Sequence, residues 1–474
     1  MDKTYSAAFE LILDYLEENA NCDSRIVEYR TPEALRQVLS LAIEDEGTGM
    51  EAIPDLLESY LKYSVRTGHR QFFNQFFAGF NPPAFLGEVF AALSNASMYT
   101  YEIAPVATLM EQELIRIMAD LAGFRGGNGI LTTGGSNANA IALLTARNLA
   151  FPETKSEGMS GVGRLVAFIS DQAHYSFLKA VNLVGLGENN LIEIPTDAQG
   201  CMRPELLEAA IVEHKEKGHH PFFIAATTGT TVRGAFDPIH PLAASARRHG
   251  LWLHVDGALG GSMLLSRRHR HLLDGSELAD SMTWDPHKLM GIPLVCSALL
   301  MKNPDHLERS CGCDGGHYLF HPSDDYDASL DLGRVSMQCG RRVDALKLWL
   351  AWKCYGHRGY EARINRLFDL TAYALEAIQG HPSLEVTAPV QSVTLCFRYV
   401  PAGDNDSEAF NLELRKRLIQ RGLSLVNYAH VDGRMTFRLV FANADMHETD
   451  FDRFLEQFVA IGREIDGESA SREA

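Results

Sequence analysis

The 474 residues predict an α/β fold: a mostly parallel central sheet covered by helices, preceded by a helical N-terminal segment and followed by a small C-terminal α+β domain. Three observations carry this. Short continuous apolar runs recur with helix-length spacers between them, the pattern of strands buried on both faces. Before residue 80 the apolar spacing is helical only, and after residue 355 it changes to alternating segments flanked by long helices. The predicted boundaries are 1–80, 81–355 and 356–474.

In the first segment Phe9, Leu13 and Leu16, then Ala34, Leu35, Val38, Leu39 and Leu41, fall at helical spacing with acidic residues on the other faces. This marks a docking segment, not a core. A stronger helix is expected from Pro105 to Ala122, with Val106, Leu109, Met110, Leu114, Ile117, Met118 and Leu121 on one stripe; proline suits its first turn and Gly123 its end. The strand candidates then follow: Leu165–Ile169, Leu191–Ile194, Phe222–Ala226, Leu251–Val255, Met282–Trp284 and Val295–Met301. A charged helix from Tyr360 to Ile378 leads to two strands, Ser392–Val400 and Met435–Phe441, and a closing helix from Thr449 whose tail frays after Ile465.

Composition narrows the function. The net charge is −18, and residues 1–60 hold 14 acidic against 4 basic side chains. An acidic surface repels phosphate backbones and anionic lipids, so neither nucleic acid nor a membrane is the expected partner. No apolar stretch is long enough to span a bilayer and the start lacks a secretory pattern, which predicts a cytoplasmic protein. The eight cysteines are scattered, as expected of reduced thiols.

The chemistry concentrates in five places. Lys288 closes Ser281-Met-Thr-Trp-Asp-Pro-His-Lys288, an amine placed after a strand where it can form a Schiff base with a carbonyl. Asp256 ends the strand Leu251-Trp-Leu-His-Val-Asp256; a carboxylate there requires a cation, such as a protonated pyridine nitrogen. The turn Thr133-Gly-Gly-Ser136 opens a helix and offers backbone N–H groups to a phosphate, while matching neither the dinucleotide fingerprint nor the Walker lysine loop. His174, in Asp171-Gln-Ala-His-Tyr-Ser-Phe177, can stack on a ring. The threonine hydroxyls of Ala226-Thr-Thr-Gly-Thr-Thr-Val232 can hydrogen-bond a phenolate oxygen.

In this order the motifs resemble the group II pyridoxal phosphate-dependent decarboxylases of fold type I, from about Thr67 to Gly462. The segments Thr67-Gly-His-Arg-Gln-Phe-Phe-Asn-Gln75, Thr100-Tyr-Glu-Ile-Ala-Pro105, Gly229-Thr-Thr-Val232 and Gln338-Cys-Gly-Arg-Arg-Val-Asp344 look most like the branch holding glutamate and cysteine sulfinate decarboxylases. The resemblance implies pyridoxal 5'-phosphate as cofactor, with Lys288 as Schiff-base lysine, Asp256 on the pyridine nitrogen and His174 stacked on the ring. It implies Gly135 and Ser136 at the phosphate, with Thr227 and His287 as further contacts. Tyr318 matches a tyrosine on a mobile loop that reaches the neighbouring subunit's site and acts as general acid. A homodimer with shared active sites follows from the same resemblance.

The implied reaction is α-decarboxylation of an acidic L-amino acid. Arg438 matches the arginine that pairs with a substrate carboxylate, with Gln75 beside it, and a guanidinium offers two parallel hydrogen bonds. Phe77 stands where glutamate decarboxylases tend to have serine, which shortens the pocket and favours aspartate or cysteine sulfinate over glutamate by about 1–3 kcal/mol. Glutamate and diaminobutyrate are the alternative substrates. Gly257, Leu259, Ala138, Thr394 and Arg398 depart from the family pattern and re-aim the pocket. A competing reading of Cys311, Cys313, His317 and His321 as zinc ligands conflicts with the mobility that a loop carrying Tyr318 needs.

Overall fold

The computed structural model describes residues 2–313, 318–320, 326–402 and 407–473. Two compact units emerge: Asn81–Arg366 with Val390–Ser392, and Met1–Phe80 with Leu367–Pro389 and Val393–Ala474.

The first unit is built on seven strands: β1 (Asn128–Thr132), β2 (Leu165–Ser170), β3 (Leu191–Ile194), β4 (His220–Thr227), β5 (Trp252–Asp256), β6 (Ser281–Trp284) and β7 (Ser297–Met301). Their order across the sheet is β1-β7-β6-β5-β4-β2-β3. β7 alone runs against its neighbours, and the pairs β6–β5, β5–β4, β4–β2 and β2–β3 are parallel. Every residue of β2, β6 and β7 is buried, which is why these strands read as unbroken apolar runs. On one flank Leu143, Phe177, Val181 and Phe223 share a core; Ile130, Ile141, Leu299 and Leu307 form another. The helix Pro105–Ala122 ends as the sequence predicts, at Gly123 with φ 85°, whose N–H closes on Ala119 and Asp120 carbonyls.

In the second unit five strands pair in the order Phe72–Phe73, Leu425–Val431, Arg434–Val440, Thr394–Tyr399, Leu384–Val386. The sequence reading found two of them. It missed the hairpin between Leu425–Val431 and Arg434–Val440, whose two-residue turn Asp432-Gly433 takes positive φ at both positions (51° and 76°), the geometry that matches strand twist. The closing helix runs Glu448–Glu473 without fraying at Ile465. Arg417 and Arg421 on Ser407–Gln420 and just beyond it reach Glu464, and Arg417 also reaches Glu468, holding that last stretch. The charged helix predicted from Tyr360 begins earlier, within Asp344–Gln379, and is interrupted at Gly356, where φ is 63°. Among the described residues no helix is long and apolar enough to cross a membrane.

Candidate active site

Parallel strands deliver their C-terminal ends to one edge of a sheet, and the predicted residues of the first unit collect there. β1 runs into Thr133-Gly134, and Gly134 adopts φ 121°, a conformation that disfavours any side chain. The helix Gly135–Ala150 starts immediately after, so the N–H groups of Gly135 and the exposed Ser136 have no intrahelical partner and present the positive end of the helix. A Cβ at Gly135 would lie 2.7 Å from Asp285 Oδ2, so glycine keeps this turn open.

Asp256 and Thr227 end adjacent strands and stand in register. Asp256 is buried; its Oδ2 accepts Asn139 Nδ2 at 2.8 Å and its Oδ1 the Ala258 N–H at 3.2 Å. The Thr227 hydroxyl is buried without a hydrogen-bond partner among the described residues. Its backbone N–H donates to Asp237 Oδ2 at 2.7 Å, which fixes the threonine from behind. Lys288 Nζ lies 3.3 Å from Asp285 Oδ2, and the Ser297 hydroxyl donates to the other oxygen of that carboxylate. His287 Nδ1 donates to the Cys296 carbonyl at 2.6 Å, leaving Nε2 3.7 Å from Asp285; burial pushes its pKa down. His174 is half-buried, and its Nδ1 accepts the Ser176 N–H at 3.2 Å. Burial is the largest effect on His174 and lowers its pKa, against the Asp256 charge, which raises it, and with the Lys288 charge, which lowers it.

The substrate candidates lie in the second unit. Arg438 is 6% exposed on the strand Arg434–Val440; its Nη2 donates to the Asn74 carbonyl at 2.7 Å and its guanidinium sits 5.1 Å from the Phe76 ring. Burial lowers its pKa. Gln75 Oε1 accepts Asn74 Nδ2 at 2.6 Å, and Phe77 packs on Phe72 with ring centroids 6.2 Å apart. Arg438, Gln75 and Phe77 therefore come together around residues 72–77. Tyr318 is 75% exposed. His317 and His321 of the competing zinc reading lie outside the described residues, and among those described no group of three or more His, Cys, Asp or Glu is placed to hold a metal.

Two polar residues of the site, Asn139 and Asp285, have no role in the sequence analysis. Asp285 carried a usable signal, a second carboxylate three residues before the lysine. Asn139 carried none, because its partner is 117 residues away.

An amine, a carboxylate at a strand end, an unpartnered buried hydroxyl and a glycine-opened helix N-terminus are the fittings for a phosphate-bearing heteroaromatic aldehyde, and they define a cofactor-dependent α/β enzyme. The chain belongs to the pyridoxal-dependent decarboxylase family, whose conserved domain matches residues 32–400. It is 39% identical to mouse cysteine sulfinic acid decarboxylase over 96% of this chain and 95% of the relative. It is 36% identical to mouse acidic amino acid decarboxylase GADL1, over 98% and 86%. A crystal structure of mouse CSAD superposes with a TM-score of 0.94 at 38% identity, covering 97% of this chain and 98% of that one. Oryza sativa TDC with PLP and tryptamine gives 0.89 at 26% identity, over 98% of each chain. The protein is thus a pyridoxal phosphate-dependent amino acid decarboxylase.

Proposed function

We propose that the protein decarboxylates a short acidic L-amino acid, cysteine sulfinate or aspartate ahead of glutamate, as a cytoplasmic homodimer. The observation that carries the substrate class is the buried Arg438 on a strand of the second unit. A guanidinium held in place on a strand offers two parallel hydrogen bonds, which a substrate carboxylate or sulfinate matches. The identity to cysteine sulfinic acid decarboxylase and to acidic amino acid decarboxylase GADL1 supports the same class.

Pyridoxal 5'-phosphate, when bound, supplies a carbonyl that takes the substrate's amine and a conjugated ring that accepts the electron pair released as carbon dioxide leaves. Lys288 would hold the cofactor through its amine. Asp256 would keep a proton on the ring nitrogen, His174 would pack beside the ring, and Thr227 would offer its hydroxyl to the ring's oxygen. The N–H groups of Gly135 and Ser136 would hold the phosphate, with His287 adjacent. Arg438 and Gln75 bind the distal acid, and Phe77 limits its length. Tyr318 donates a proton to the substrate's Cα.

Dimerisation draws support from exposed apolar side chains. Leu86, Phe90 and Leu93 fall at i, i+4 and i+7 on the helix Pro82–Ser94, and Val106 and Leu109 are exposed on Pro105–Ala122. Amine production from aspartate, cysteine sulfinate, glutamate, diaminobutyrate and an aromatic amino acid, measured side by side, tests the substrate reading. The two shorter acids are expected to react fastest; faster turnover of glutamate than of both refutes it.

A further inference from the structure

We infer that Asn139 and His254 are positioning residues for Asp256: a one-way chain of buried hydrogen bonds fixes the Asn139 amide so that it presents its N–H to that carboxylate. The inference rests on the role proposed above for Asp256.

The chain is directional because both ends are one-way: the indole N–H of Trp252 can only donate, and the Asp256 carboxylate accepts Asn139 Nδ2, which leaves Oδ1 to accept from His254 Nε2. Trp252 Nε1 donates to the Ser281 hydroxyl at 2.8 Å. The same hydroxyl lies 2.8 Å from His254 Nδ1, to which it gives its own hydrogen. His254 is wholly buried, and burial pushes its pKa down to about 4, so near neutral pH the ring has one hydrogen. With Nδ1 accepting, that hydrogen is on Nε2, which faces Asn139 Oδ1 at 3.0 Å. Thr283 donates to the same Oδ1 at 2.8 Å.

Two donors on Oδ1 decide the amide's orientation. Flipped, it would set N–H against N–H at His254 and carbonyl against carboxylate at Asp256, two unmet contacts in a buried site. In the orientation held, Nδ2 donates to Asp256 Oδ2 at 2.8 Å and to the Ser176 hydroxyl at 3.1 Å. Asn139, His254, Ser281, Thr283 and Ser176 are all at most 1% exposed, so water does not compete. Asn139 lies one turn into the helix Gly135–Ala150, the helix whose N-terminus meets the phosphate. One rigid element therefore references both the phosphate end of the cofactor and the carboxylate at its ring nitrogen.

The test uses the full-length holoenzyme and reads the cofactor's visible absorbance against pH, together with cofactor dissociation. Asn139→Leu is expected to move the absorbance midpoint by about one pH unit or more and to weaken cofactor retention about tenfold. His254→Leu, which frees the amide to flip, should move the midpoint the same way by less. A folded Asn139→Leu protein with its midpoint within about 0.3 pH unit and its cofactor retention within about twofold of the parent overturns the inference. Asp256→Asn is run alongside: if it changes neither quantity, the role of Asp256 itself fails, whereas a large change there with none in Asn139→Leu refutes only the positioning. Should Asn139→Leu not fold, nitrogen-15 spectra of histidine-labelled parent protein decide, since a hydrogen on Nδ1 of His254 overturns the directional chain and one on Nε2 upholds it.

Discussion

Arg341→Met should destabilise the first unit strongly while Arg341→Met with Glu111→Leu should not. The two side chains are 6% and 2% exposed and form an ion pair. Arg341 also donates to the Met98 carbonyl at 3.1 Å and the Leu131 carbonyl at 3.0 Å, and Glu111 accepts the Leu131 N–H at 2.9 Å. The pair thus clamps β1, the strand that feeds the turn proposed to hold the phosphate. Removing the arginine alone leaves a buried carboxylate and two carbonyls without it, a loss of about 3–5 kcal/mol. At about 2.1 cal/mol/K per residue, the roughly 290 residues of this unit have an unfolding entropy of about 0.6 kcal/mol/K, so Tm should fall by about 5–8 °C. Replacing both partners by apolar groups should cost clearly less than the sum of the two single changes. Differential scanning calorimetry of the three variants checks this. A single variant that melts within about 1 °C of the parent, or a double variant whose loss is additive, refutes the view of the pair as a clamp.

Other perturbations separate the remaining groups. Burial would raise the Glu208 carboxyl, but hydrogen bonds from His249, Ser245 and Arg248 outweigh it and hold the pKa at about 2. Its folded value is below the unfolded one, so its contribution is present above the unfolded pKa and is lost as pH falls through about 2. Glu208→Gln should lower neutral-pH stability by about 1–2 kcal/mol and shrink the difference between melts at pH 6 and pH 3. Asp237 goes the other way: burial raises its pKa to about 7, the folded state holds the extra proton, and its contribution falls as pH rises from about 4 to 7, a slope that Asp237→Asn should abolish in denaturant melts. Gly135→Ala would push a methyl into the Asp285 carboxylate, and equilibrium titration should find cofactor bound about tenfold more weakly. Tyr318→Phe should keep cofactor absorbance and lose amine formation; unchanged amine output removes the tyrosine from the proton-donating role.

Strands were legible where both faces are covered, because burial on two sides leaves no polar alternation to blur the run, as in Leu165–Ser170. The strand Leu425–Val431 was missed because only Val426 and Val431 are buried, while Asn427 and Ala429 are half-buried and Tyr428 and His430 exposed, which leaves no clear apolar face. Asp256 was legible because it is a charge at the end of an apolar strand, a local contradiction that needs an explanation, and Lys288, beyond the strand Ser281–Trp284, was legible from the company of the other motifs. Asn139, His254, Ser281 and Thr283 were not. Each is an unremarkable polar residue in its own segment, and only the parallel sheet brings 139 against 254, 256 and 283.

The two carboxylates of the site show why position in sequence does not assign role. Both follow or end apolar strands and both are nearly fully buried. Asp256 is met by neutral donors, the Asn139 amide and the Ala258 N–H, which orient it without cancelling its charge. That charge is left for a cation, and a ring nitrogen that must stay protonated is one. Asp285 faces the Lys288 amine at 3.3 Å as well as the Ser297 hydroxyl, so its charge is already opposed by a residue of the chain. The same logic resolves the net charge of −18. The acidic excess of residues 1–60 belongs to the other unit, while the anion binding proposed above draws on the N-terminus of the helix Gly135–Ala150 and the buried guanidinium of Arg438. At contact range local partners outweigh the global sum, which is how an acidic protein can hold an anionic cofactor and select an acidic substrate.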